Sequence, residues 1–213
     1  MGARRAPNFS TKDRNPMASA HVRLRLPTLA CLCGLATTPL AAQGYRFANI
    51  PWGANGTTIK QLLGDQGLNF VEVDTDGDYK FKGTLTGYEA VVWGLMSNNG
   101  VAKFSITLFT PDEKARKAFG EMKTNLTGKY GAPAEVIENY DSPYRAGDGN
   151  EEEAIRKDKG HLMVLWRQPV GSDTSYLGLQ VTDKLNLFVA YEGPRWSAEL
   201  DRRRAKQSKN SPF

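Results

Sequence analysis

The sequence predicts an α+β fold of two tandem units, each a helix followed by antiparallel strands, with the helices packed on one face of a sheet. Three observations predict it. Short runs alternate apolar and polar residues and are separated by glycine-containing turns, as in hairpins. Two other stretches repeat apolar residues every three or four positions and stop at glycine, as helices do. The order helix, glycine stop, turn, strand then occurs twice, as LLGDQGLNFVEV and as KYGAPAEVIE.

The first unit spans residues 43–110. GTTIKQLLGDQG places Ile59, Leu62 and Leu63 on one helical face, with Gly56 or Thr57 as cap and Gly64 and Gly67 as stops. NFVEVD and YKFKGTL alternate around DTDGD, whose Asp76-Gly77 step suits a tight turn. GYEAVVWGLM and VAKFSITLF follow, joined through Asn98, Asn99 and Gly100, the strongest hairpin signal in the chain.

The second unit spans residues 111–193. Its helix is expected to be capped by Thr110, with Pro111 at the first position and Asp112 and Glu113 in the first turn, where the helix dipole favours acids. Ala115, Phe119, Met122, Leu126 and Tyr130 form its apolar stripe, Gly131 ends it and Pro133 prevents continuation. AEVIENY, HLMVLWRQ, SYLGLQV and NLFVAYE read as strands. Trp93 and Trp166 occupy comparable strands in the two units and, being flanked by apolar residues, are expected in the core or between layers. Residues 194–213 read as a C-terminal helix and basic tail.

Met17 to Ala42 has the parts of a secretory signal: Arg23 and Arg25, an apolar run, then small residues at Ala41 and Ala42. Cleavage is expected after Ala42, giving an exported protein, periplasmic or secreted. The polar stretch MGARRAPNFSTKDRNP before it lacks periodicity, which places the start of translation at Met17. Pro27 and Pro39 break the apolar run, so it does not suit a permanent span. The run continues past Cys31 and Cys33, unlike a lipoprotein signal, and both cysteines would leave with it. A cysteine-free mature chain has no disulfide, no thiolate nucleophile and no Cys metal site.

Charge follows the same division. The chain holds 28 Lys and Arg against 23 Asp and Glu, but residues 1–42 carry six of the bases and one of the acids, so the remainder is balanced. Arg202, Arg203, Arg204, Lys206 and Lys209 concentrate positive charge near the end. With aromatics absent from the tail beyond Trp196 except Phe213, no nucleic acid is expected as partner; weak contact with an anionic membrane surface through Arg202, Arg203 and Arg204 is the remaining use.

PWG at 51–53, a helix with a glycine stop, a strand meander, a second helix, KYGAP at 129–133, a strand with Trp and YE at 191–192 together resemble small exported bacterial proteins built from tandem α-β repeats. These include uncharacterised periplasmic families and, more remotely, the lipoprotein component of the outer-membrane assembly machine and the β-lactamase-inhibitor-protein fold. The resemblance spans most of residues 46–192 and implies a shared sheet architecture. This chain lacks the lipidated Cys of the former and the disulfides of the latter, so neither function transfers.

Catalytic constellations are sparse. His161 is the one histidine after the leader, it lies in a strand, and no G-x-S-x-G elbow occurs. One His and no Cys argue against zinc, copper and haem, and no cofactor is expected. DTDGD fails as a calcium loop, because counting from Asp74 the sixth and twelfth positions hold Tyr79 and Leu85. Asp148 to Glu153, within GDGNEEE, has enough acids to hold calcium weakly, but it lacks fixed ligand spacing and reads as a solvated flexible loop. In IPWGANGTTIKQLL the glycines and Lys60 do not follow Walker spacing, so the stretch marks a helix entry. Glu72, Glu89, Glu135 and Glu138 alternate with apolar neighbours and belong on the wet sheet face; a small hydrolase or carbohydrate-active protein would have to use them. The segment from Glu138 to Glu153 is the expected binding element, with Tyr140, Tyr144 and Arg145 as its contact residues. The reading that follows is a non-enzymatic exported module that binds a protein or envelope partner through the outer sheet face or the loop from Tyr140 to Glu153.

Overall fold

The computed structural model describes residues 44–210. The leader read in Met17 to Ala42, with Cys31 and Cys33, lies outside the described residues, as does Phe213. The described chain is α+β: an eight-stranded antiparallel sheet with four α-helices. In chain order these are α1 (Gly56–Gly64), β1 (Asn69–Val73), β2 (Tyr79–Leu85), β3 (Tyr88–Ser97), β4 (Gly100–Phe109), α2 (Ala115–Tyr130), β5 (Glu135–Tyr140), α3 (Glu151–Arg156), β6 (Gly160–Val170), β7 (Asp173–Val181), β8 (Leu187–Glu192) and α4 (Trp196–Asn210). The strand order is β1-β2-β3-β4-β8-β7-β6-β5.

Local chemistry accounts for most element ends. Asn55 caps α1, its side-chain oxygen accepting the Thr58 N–H at 2.9 Å, so the cap lies one residue before the expected Gly56 or Thr57. Asp74 closes the β1–β2 turn, its Oδ1 accepting the N–H groups of Asp76 and Asp78 at 2.9 Å each. Thr110 does not cap α2. Its hydroxyl donates instead to the Leu185 carbonyl at 2.5 Å, and a 3-10 turn over Asp112–Lys114 leads into a helix that begins at Ala115. A distant acceptor thus displaces the local cap, and Pro111 stays extended at ψ 138.

The core follows the alternation of the strands. Phe81, Val92, Phe104, Ile106, Leu108, Val189, Leu177, Leu179, Val164 and Trp166 are buried in one cluster with Ile59 and Leu63 of α1 and with Ala118, Phe119 and Leu126 of α2. Met122 and Tyr130, the rest of the stripe expected on α2, pack against it half-buried. Trp166 is 1% exposed and its indole N–H donates to the Gly131 carbonyl at 2.9 Å. Trp93, expected with it in the core or between layers, stands on the opposite face, half-buried beneath the Lys80 ammonium at 5.0 Å.

The PWG segment joins β4 as a short ladder. Gly53 N–H donates to the Val101 carbonyl and Val101 N–H to the Ala54 carbonyl, both at 2.9 Å. Gly100 makes this approach possible: its φ is +91°, and an added Cβ would lie 2.2 Å from the Gly53 oxygen. Gly77 has a similar φ of +84° and open space around it. Gly100→Ala is therefore expected to cost about 3 kcal/mol and Gly77→Ala about 1 kcal/mol, as strain without a clash. Thermal melts of the two variants check this; equal losses would show that the PWG approach adds nothing.

Candidate functional site

Two neighbouring regions carry the groups available for recognition: the segment after β5, and the sheet face turned away from the core. The segment is more ordered than its composition predicts. The Asp148 carboxylate accepts the N–H groups of Asn150 at 2.8 Å and Arg145 at 3.0 Å, which hold it below its ordinary pKa. Glu151 accepts the Gly147 N–H at 2.8 Å and faces Arg116 at 3.2 Å. The residue is 2% exposed, and its carboxyl is likewise held low, first by its own backbone N–H and then by that of Gly147. The acidic run expected as a flexible loop therefore becomes α3 from Glu151 onward, because N–H donors and Arg116 balance its charge.

The three expected contact residues have separate surroundings. Tyr140 packs on the backbone of Gly160, where an added Cβ would lie 3.0 Å from its ring, and its hydroxyl donates to Glu138 at 3.3 Å. Burial pushes its pKa up to about 12. The Tyr144 hydroxyl accepts from the Lys157 ammonium at 3.1 Å, and that ammonium also holds Glu153 at 2.5 Å. Arg145 is exposed, and its guanidinium makes no hydrogen bond or ion pair among the described residues. No hydrogen bond or ring contact joins the three among the described residues.

Register defines the outward sheet face. One row runs Lys80, Trp93, Ser105, Ala190, Gly178, Leu165, and the next runs Val91, Thr107, Phe188, Gln180, Met163, Ile137. The small residues Ser105, Ala190 and Gly178 form a low strip between Trp93 and Leu165. At the β5 end lies a shallow cavity of about 310 Å³ lined by Ile137, Asn139, His161, Met163 and Gln180. The side chains of Asn139, His161 and Gln180 have no hydrogen-bond partner among the described residues, so imidazole and carboxamides stand free over an apolar floor. The outer sheet face is one of the two surfaces expected from the sequence, but reading the strands one by one as core against wet face does not give its apolar residues. The signal is the unbroken apolar character of AVVWGLM and HLMVLW, since runs without alternation mean that both faces are apolar.

Other candidates are placed differently. Glu72, Glu89, Glu135 and Glu138 are exposed on β1, β3 and β5, with β1 and β5 at opposite edges of the sheet. Glu72 pairs with Lys80 at 2.9 Å. Arg202 and Arg203 of the tail both engage Glu199, and Arg203 also engages Asp78, while Arg204 is 69% exposed beside Asp201 at 3.8 Å. Among the described residues no group of three or more His, Cys, Asp or Glu could hold a metal ion, and no helix is long and apolar enough to cross a membrane. Compared with family models, curated proteins and solved structures, the chain matches none.

Proposed function

We propose that the chain is a non-catalytic exported binding module of the envelope, built from two tandem helix-plus-strand units whose helices share one sheet face. The strand order supports the tandem organisation: β1 to β4 and β5 to β8 are each a meander, and they meet through β4 and β8, their last strands. Such a pairing leaves most of the second face of a long sheet open, with Trp196 of α4 set over Lys103 at one end, and that face carries the reading. Trp93, Val91, Phe188, Met163, Leu165 and Ile137 spread apolar and aromatic area from β3 to β5, broken by polar side chains without internal partners. Half-exposed apolar and aromatic side chains interspersed with unpaired polar groups have the mixed make-up of a recognition surface.

The test is cross-linking in intact envelopes with wild-type protein, with a Phe188→Glu and Met163→Glu double variant, and with a deletion of residues 141–150. The double variant is expected to lose most cross-linked partners while its unfolding midpoint stays close to wild type, because both side chains point away from the core. Unchanged cross-links in both variants would sink the reading.

A further inference from the structure

The sheet ends in two edge strands, and they are built differently. β1 is guarded: its register shifts between Phe70 and Glu72, and the Lys60 ammonium sits 3.8 Å from the Phe70 ring centre. Bulges and lysines are ordinary devices against unwanted strand pairing. β5 has neither, and its six residues pair with β6 without a break in register. Asp141 N–H donates to the Lys159 carbonyl at 2.7 Å, which assigns that opposed pair to the hydrogen-bonded set. Alternation along an antiparallel ladder then directs the backbone groups of Ile137 and Asn139 inward and those of Val136, Glu138 and Tyr140 away from the sheet.

Side chains on this edge select among partners. Val136 is 50% exposed, the most of any large apolar residue among those described. Glu135 and Glu138 are the charges on the strand, and Asp141 follows directly. Arg116 lies 4.0 Å from Glu138 but closer, at 3.2 Å, to Glu151, so Glu138 is only loosely opposed. Two copies laid edge to edge would double this acidic charge, which disfavours self-pairing. We propose that β5 accepts an extended basic segment of another protein as a ninth strand. Main-chain groups of the segment pair with Val136, Glu138 and Tyr140, an apolar side chain covers Val136, and Lys or Arg residues meet Glu135 and Glu138.

This inference rests on the binding-module reading, and the experiment separates the two. The probes are a fluorescent synthetic peptide with two lysines three positions apart and valine and threonine between them, so that lysines oppose Glu135 and Glu138 while the valine opposes Val136; its glutamate counterpart; and the lysine peptide N-methylated at alternate amides so that it cannot pair. The full chain is expected to bind the first at least about tenfold more tightly than either of the others. Binding should slow hydrogen exchange at the outward amides of Val136, Glu138 and Tyr140. Val136→Pro removes one outward donor where an edge strand tolerates proline, and should weaken binding about tenfold. Glu135→Lys with Glu138→Lys leaves the backbone donors in place and should reverse the preference between the two charged peptides. Equal binding of the N-methylated peptide, or an unreversed preference in the double variant, overturns the proposal even if Val136→Pro fails to fold. Failure here with envelope cross-links still lost in the sheet-face variant removes the edge alone; loss of neither removes the broader reading.

Discussion

Arg203→Ala is expected to destabilise the protein by about 3 kcal/mol, near the lower end of what breaking a mostly buried ion pair costs. Arg203 donates to both Asp78 oxygens at 2.6 and 2.7 Å, to the Met96 carbonyl at 2.7 Å and to Glu199 at 2.8 Å. The carboxylates it serves are 7% and 4% exposed as side chains, so removing it strands two charges away from water. The loss stays at the lower end because Arg202 still holds Glu199 and the Met96 N–H still donates to Asp78. Arg204→Ala, in the same helical turn, removes a 69% exposed side chain loosely opposed by Asp201, and should cost less than about 0.5 kcal/mol. Urea unfolding of the two variants checks the contrast, and equal midpoints would mean that the network does not anchor α4.

The same network makes stability depend on pH. Hydrogen bonds from Arg202 and then Arg203 hold the Glu199 carboxyl below its ordinary 4.5, and Lys206 holds Asp76 below its ordinary 3.8. A carboxyl depressed in the folded state stabilises fully above its unfolded value, and that contribution is lost as pH falls through the depressed one. The unfolding midpoint should therefore decline below about pH 4.5 in the wild type and less steeply in Arg203→Ala.

What can be read in the chain divides by distance along it. Ile59 with Leu63, Phe119 with Leu126, and the Asn98-Asn99-Gly100 turn declare themselves within a few residues, because helix periodicity and turn chemistry are local. Thr110 reads as a cap only because its true acceptor, Leu185, lies 75 residues away. The Arg203 to Asp78 pair spans 125 residues, and composition alone makes Arg203 part of a solvated tail. Trp93 and Trp166 share a local pattern, yet register sends one outward and the other into the core. At the candidate site the types Tyr140 and Tyr144 are legible, but their separate partners Glu138 and Lys157 are not. The backbone direction of Val136 depends on pairing with β6, which no property of EVIENY alone could reveal.

Trp166→Ala is expected to be the most damaging single change, at about 4 to 5 kcal/mol. The ring is 1% exposed within the cluster that includes Val164 and Leu177, so its removal opens a cavity that β6, paired on both sides, cannot collapse to fill. A second loss is specific to this residue. Its indole N–H satisfies the Gly131 carbonyl at 2.9 Å, where α2 ends with a glycine at φ +86° before Pro133. The KYGAP stop is therefore tied to the strand with Trp by one hydrogen bond across 35 residues. Trp166→Phe separates the two contributions, since it keeps much of the apolar volume and removes the donor; it should cost about 2 kcal/mol, roughly half of it from the unpaired carbonyl. Denaturant melts give both values, and hydrogen exchange at the last turn of α2 gives the link. If Trp166→Phe leaves exchange there unchanged, the indole fills space in the core without fixing the end of the helix.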